Sequence, residues 1–362
     1  MRTASPWLRW VVDPGPSSSS STHGAYRFSV AAFKLLLVPV FLYFIWELLT
    51  PRLDFLGLSN PFRTLFLISN KVPTSDPADP RYAKSWSDLL FIAYYVLFSA
   101  CFRQTVVVSL CRPVAKYFGI KKEAKLVRFG EQGYSVIYFA LFGGWGYRVM
   151  SQLPTWWYRT EYFWLDYPHW DMKPELKHYY LMQTAHWTHE FLILVLRLER
   201  PRSDYYEFIA HHIVTLWLVG WGYMLNLTLV GNAVFLSMDI PDAFFAFSKV
   251  INYLQFKRAK VVSLAIFTYV WTYFRHYLSL VILWSVATEF DLIPAHAQRW
   301  DPADGTYLVW WMKYQIFVPL ALLQWLNIFW YYLIWRVIAR AVMTSLTDAD
   351  DDRSDDEGEG GD

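Results

Sequence analysis

The sequence predicts an all-α polytopic membrane protein of about eight transmembrane helices, and three observations carry that prediction. Of 362 residues, 55% are hydrophobic and 18% charged, against about 45–50% and about 25% in an ordinary soluble domain. Trp, Tyr and Phe number 20, 25 and 27. Several cluster at the ends of apolar runs (Trp156-Trp157, Trp310-Trp311, Trp330-Tyr331-Tyr332), as interfacial belts do. Apolar runs of about 20 residues also recur, the length that crosses a ~30 Å hydrocarbon layer. Two cysteines, Cys101 and Cys111, exclude a disulfide scaffold.

Residues 1–29 read as a flexible cytosolic leader, with Pro14, Gly15, Pro16 and the run Ser17 to Ser21 in place of a signal-peptide apolar core. Residues 30–110 hold two expected N-terminal spans. The first, Val30 to Leu49, is followed by Thr50-Pro51-Arg52 and not by a small-residue cleavage site, so it reads as retained. The second is 86–110, and a basic cytosolic loop at 111–132 follows. Six further spans are expected at 133–151, 179–197, 207–230, 231–254, 261–289 and 307–343, the third and fourth of them joined by a tight turn near Gly231-Asn232. The remainder, 344–362, reads as an acidic disordered cytosolic tail. With residue 1 in the cytosol, the cytosolic segments carry 18 Lys and Arg and the opposite side nine. The positive-inside rule then puts both termini in the cytosol, although segment 50–85 is more basic than that rule asks. The net charge of +2 hides an asymmetry, because residues 348–362 carry nine acids and one base and the rest of the chain is +10.

Polar residues inside the expected spans point to function. In 231–254, ten Leu, Ile, Phe and Val residues contribute about −3 to −6 kcal/mol of insertion free energy together. Asp239 and Asp242 cost about 2.5–3.5 kcal/mol each near a helix centre, and Lys249 adds more. Such a helix must be enclosed by others or line a wet cavity. Asp239, Asp242 and Lys249 share one helical stripe, so a buried Asp–Lys pair that only fixes packing is the plain alternative. The preceding span carries His211-His212 and, one turn on, Thr215, which is placed to hydrogen-bond either imidazole. A His pair one helix away from paired carboxylates suits a general base or a nucleophile with an orienting acid. His186 and His189 share a face with Glu190 beside them, and Arg275-His276 is a further intramembrane polar pair; both read as lining or packing. No metal site is expected: the nine histidines form no His-x-x-x-His or His-x-x-His-His box, which argues against a di-iron oxygenase. The sequon Asn226-Leu227-Thr228 lies inside an apolar run, and glycosylation there is not expected.

These residues resemble a known family. Glu199-Arg200-Pro201-Arg202-Ser203-Asp204-Tyr205, His211-His212-Ile213-Val214-Thr215, Asn226, Gly231, Met238-Asp239, Asp242 and Lys249 through Tyr253 look like the signature of the ceramide synthases. These form the longevity-assurance branch of the TLC-domain membrane proteins. Phe274-Arg275-His276-Tyr277-Leu278 and Ile282-Leu283-Trp284 are similar to that family's penultimate span, and the short loop after the second span resembles the fungal short form. The resemblance implies a six-helix TLC-type barrel over 133–343 around a central cavity, in the endoplasmic reticulum membrane. It implies transfer of a fatty acyl group from acyl-coenzyme A, a co-substrate and not a cofactor, to the amine of a sphingoid base (sphinganine or phytosphingosine). Its catalytic residues carry over to His211, His212, Asp239 and Asp242, with Thr215, Lys249, Arg275 and His276 expected to bind substrate. Pro241 departs from the family pattern and frees the carbonyl of Ser237 from its helical bond.

The chemistry agrees with the residue types. A sphingoid amine is mostly protonated at neutral pH, and imidazole, with an unperturbed pKa near ~6.5, is suited to deprotonate it. The same imidazole is equally suited to attack the thioester first and form an acyl-imidazole. Basic residues Lys116, Lys121, Lys122 and Lys125 near the expected cytosolic mouth suit coenzyme A phosphates, or simply obey the positive-inside rule. Further expected partners are a small single-span regulatory subunit, a second copy or a paralogue, and an acidophilic kinase acting on Ser345, Thr347 or Ser354; nucleic acid is not among them. The rival class is a non-catalytic TLC-domain protein, lipid-sensing or translocon-associated.

Overall fold

The computed structural model describes Lys34 and residues 36–50, 60–197 and 204–344. The leader, the run Glu199 to Ser203, the tail beyond Thr344 and its three candidate phosphorylation sites lie outside the described residues. The chain divides into two compact units, Met1–Leu110 with Asp171–Pro201, and Cys111–Trp170 with Arg202–Asp362.

In the first unit, α1 (Leu36–Thr50) and α2 (Arg63–Phe66) precede a long helix, α3 (Ser87–Val106). A two-residue strand, β1 (Tyr82–Ala83), pairs antiparallel with β2 (Asp171–Met172), with Tyr82 opposite Met172. This open ribbon delivers the chain into α6 (Pro174–Val195), which packs along α3. Pro174 at the first helical position and Glu175 in the first turn favour a helix start there. The pairing of the two helices is fixed by a buried ion pair: Lys177 Nζ lies 2.8 Å from Asp88 Oδ1, with 0% and 4% of the side chains exposed. The ammonium also donates to the carbonyls of Ser69 (2.9 Å) and Ala83 (2.7 Å), so the charge is solvated by protein.

The second unit continues from α3 through a π-helical turn, Val107–Cys111, into α4 (Arg112–Tyr117), and then α5 (Glu123–Ser151). The stretch read as a basic loop thus carries α4 and the first turns of α5. A Cβ at Gly133 would lie 2.8 Å from Cys111 Sγ, so only glycine lets α5 come this close to that cysteine. Next come α7 (Tyr205–Met224) and α8 (Thr228–Tyr253), then α9 (Lys257–Trp271), a π-helical segment Thr272–Leu278, α10 (Ser279–Thr288) and α11 (Met312–Thr344). Helix α8 packs against α5, α7, α9 and α10, and α11 packs against α7 and α10. One part of the core joins Phe267 and Trp271 to Trp330 and Ile334, with Phe208 and Phe245 against them.

The expected closed six-helix barrel of eight transmembrane helices is not what the chain forms. Among the described residues, two helical stretches, Ser87–Tyr117 and Met312–Arg340, are long and apolar enough to cross a membrane, and Leu36–Thr50 is a shorter apolar helix. The physical reason is composition. Helices α5 to α8 have 20 to 29 residues, yet Tyr, Trp, Gly, His, Asp and Lys interrupt their apolar runs. Helix α6, expected within 133–343, packs along α3 in the first unit. The expected turn at Gly231-Asn232 moves as well: α7 ends at Met224 and α8 starts at Thr228. The turn residue is Asn226, in the left-handed region at φ 62°, which Asn tolerates better than most residues.

Candidate active site

The site is built from α7, α8, the π-helical segment and α11, all in the second unit. Asp204, just before α7, accepts a hydrogen bond from the Trp330 indole at 3.1 Å, which ties the start of α7 to α11. One turn into α7, His211 and His212 are both buried, 5% and 1% exposed. Their rings are 5.5 Å apart and nearly perpendicular. His211 meets the edge of Trp330 at 5.4 Å and stacks on Phe208 at 6.2 Å. The His212 Nδ1 lies 2.9 Å from the carbonyl of Phe208. A ring nitrogen facing a carbonyl carries the proton, so this contact makes Nε2 the basic nitrogen of His212. Thr215 is buried beside the pair, but its hydroxyl makes no hydrogen bond among the described residues and so does not bridge to either imidazole.

Helix α8 runs through Pro241 without a break in the helical assignment. Asp239 is fully buried. Asp242 is held by Arg275, whose Nη2 lies 2.6 Å from its Oδ1. The same guanidinium donates to Asn327 Oδ1 (2.9 Å) and to the carbonyl of Met238 (3.3 Å), and stacks 4.5 Å over Trp271. Arg275 therefore joins α8 to α11, a role that goes beyond lining. The π-helical register makes this arrangement possible, because i→i+5 bonding widens the turn that carries Arg275 and His276. His276 Nδ1 lies 2.9 Å from Gln324 Nε2, and its ring packs 4.5 Å from Tyr331. Lys249 Nζ sits 4.5 Å over the Phe245 ring. Beside the Arg275–Asn327 contact, a narrow cleft opens between α8, α10 and α11, lined by Ser237, Met238, Ile282, Leu320, Gln324 and Asn327 among others.

The sequence pointed neither to Gln324 and Asn327 nor to a place at the site for Asp204 and Trp330, although Asp204 lies in the signature run and Trp330 in an aromatic cluster. The signal for two of them was present, since Gln324 and Asn327 are polar residues three apart within the apolar run 307–343. That is the argument already applied to Asp239 and Asp242. In the first unit, the structure also gathers His186, His189 and Glu190, whose donor atoms lie within 4.8 Å of one another.

Comparison with known proteins finds that residues 128–336 match the family described as TLC domain. Sphingosine N-acyltransferase lac1 of Schizosaccharomyces pombe is 37% identical over 292 residues, covering 81% of this chain and 74% of that protein. Ceramide synthase LAG1 of Saccharomyces cerevisiae is 34% identical over 297 residues, 82% of this chain and 70% of that one. Ceramide synthase 4 of Bos taurus matches at 30% over 171 residues, 47% and 40% of the two chains.

Proposed function

The chain belongs to the TLC-domain family, close to its fungal ceramide synthases, and from that premise we propose that it is a membrane-associated, acyl-coenzyme A-dependent N-acyltransferase acting on a sphingoid base. The products are a ceramide and free coenzyme A. The observation that supports a catalytic reading of this chain is the buried His211-His212 pair, caged by Phe208 and Trp330, in the same unit as the Asp242–Arg275 pair. Burial among Phe208 and Trp330 keeps bulk water away from the imidazoles, as either a general base or an acyl-imidazole nucleophile requires.

In this proposal Asp239 and Asp242 support the imidazoles, Asp242 acting through Arg275. Thr215, Lys249, Arg275 and His276 surround the substrate. The cleft is far smaller than the ~300–1,000 Å³ of ordinary ligand pockets, so in this proposal it widens when a long chain binds. The same proposal places the protein in the endoplasmic reticulum membrane as a multi-pass protein with both termini in the cytosol. A single-span subunit, a second copy or paralogue, and an acidophilic kinase acting on the tail are its partners.

The test is an acyltransferase assay on purified protein with acyl-coenzyme A of several lengths, beside His211→Ala, His212→Ala and Asp242→Ala. Loss of a general base or nucleophile lowers turnover by about 10²–10⁴-fold; wild-type rates in all three variants would refute the site. Intact-protein mass spectrometry after acyl-coenzyme A alone separates the routes, because only the covalent one leaves an acyl adduct that a histidine substitution removes.

A further inference from the structure

We propose that His186, His189 and Glu190 form a binding site for a divalent first-row transition ion in the first unit, independent of the residues assigned to acyl transfer. The three occupy positions i, i+3 and i+4 of α6, so one stripe of a single helix presents all of them. Both imidazoles are buried, at 3% and 5% exposure, and the Glu190 side chain is 23% exposed. Their donor atoms lie within 4.8 Å of one another. One edge already has the spacing of a coordination shell: His189 Nδ1 and Glu190 Oε1 are 3.3 Å apart. Two ligands held tetrahedrally at Zn–N and Zn–O lengths of about 2.0–2.1 Å are themselves ~3.3 Å apart. A direct charge-assisted hydrogen bond would be shorter, about 2.7–2.9 Å.

The donor set selects the ion. Two imidazoles and one carboxylate suit zinc or iron(II) with a position left for water, whereas calcium and magnesium prefer oxygen ligands throughout. Arg103 reaches the same carboxylate oxygen, with Nη1 3.3 Å from Glu190 Oε1. It holds Glu190 in place, as a partner outside a metal's ligand shell does, but its positive charge also competes with the ion. That competition gives the proposal a consequence that a plain Arg–Glu–His network does not share: removing the Arg103 charge should tighten metal binding.

The experiment uses the full chain in detergent or nanodiscs, stripped with a chelator, loaded with Zn²⁺ alone, desalted and measured by mass spectrometry for metal. About one zinc per chain is expected, with binding weakened about 10–100-fold in His186→Ala and His189→Ala and unchanged in His211→Ala. Arg103→Gln should bind Zn²⁺ more tightly than wild type. Should the alanine variants fail to fold, His186→Asn and His189→Gln keep polar side chains, and Co²⁺ added to the wild type should develop visible d–d absorption. Less than a tenth of an equivalent in the wild type, equal loading in a His186/His189 double variant, or Arg103→Gln that binds no more tightly would each overturn the site. Metal content is read without any acyltransferase assay, so this outcome and that of the proposed function are separate.

Discussion

Among single residues, Arg275 is the one whose role changed most. In the sequence it is one half of an intramembrane polar pair next to a histidine. In the structure it ion-pairs with Asp242 at 2.6 Å, hydrogen-bonds Asn327 and stacks on Trp271. Removing one partner of a fully buried ion pair strands the other charge and costs about 3–5 kcal/mol, and the cost here is smaller because the Asp242 side chain is 18% exposed. Replacing both with apolar groups of similar size is far less costly. Arg275→Met and Asp242→Leu should therefore each lower the melting temperature of the purified protein by several degrees, and the double variant should recover most of that loss. Acyltransferase activity should stay low in all three; recovery of both stability and activity in the double variant would make the pair purely structural. His212 belongs to this scale too, since its tautomer is set by a carbonyl four residues back in its own helix.

At the scale of elements, the α7–α8 hairpin shows how a loop can be set by a distant segment. Asn226 is 2% exposed, and its Nδ2 donates to the carbonyl of Gly305 at 2.7 Å. Gly305 has φ +69°, and a Cβ there would approach that same Nδ2 to 3.4 Å. The Tyr167 hydroxyl donates to the carbonyl of Leu225 at 3.0 Å and accepts from the Tyr307 amide at 3.2 Å, and burial pushes its phenol pKa up. Three segments thus meet at the turn. The sequon at Asn226 is accordingly inaccessible, and endoglycosidase treatment should leave the electrophoretic mobility of protein from a eukaryotic host unchanged. Asn226→Ala should cost about 0.5–1.5 kcal/mol, the net worth of the hydrogen bond it removes, read from the denaturation midpoint. The contact between α5 and Cys111 supplies a second prediction. Gly133→Ala forces a methyl to within 2.8 Å of Sγ and should destabilise by about 1–3 kcal/mol. Gly133→Ala with Cys111→Ala should be milder than Gly133→Ala alone, because the clashing sulfur is gone.

For the whole molecule, the division into two units assigns α6 to the first, where Lys177 and Asp88 pair α6 with α3. Lys177→Met leaves the Asp88 carboxylate buried without its cation and should cost about 3–5 kcal/mol. Hydrogen exchange should show the lost protection in α3, α6 and the β1–β2 ribbon, with α7 and α8 little changed, because local openings follow cooperative units. Equal loss of protection along the whole chain would mean that the two units unfold as one. Helix-rich secondary structure was legible because apolar runs of helical length mark it directly. The expected barrel and span count failed because length and average apolarity do not reveal how polar each helix is along its sides, nor which helix it packs against.

The sequence alone determined that the chain is mostly helical and membrane-associated, and it singled out His211, His212, Asp239 and Asp242 as polar residues set within apolar runs. Each of these follows from local composition and helical spacing, which a linear reading contains. Only the tertiary structure decided that Asp242 pairs with Arg275, that Trp330 and Asp204 fix the entry to α7, that Asn226 makes the hairpin turn, and that α6 packs against α3. Those outcomes depend on contacts between residues dozens of positions apart, and on a π-helical register that redirects Arg275. Neither leaves a periodic trace in the chain.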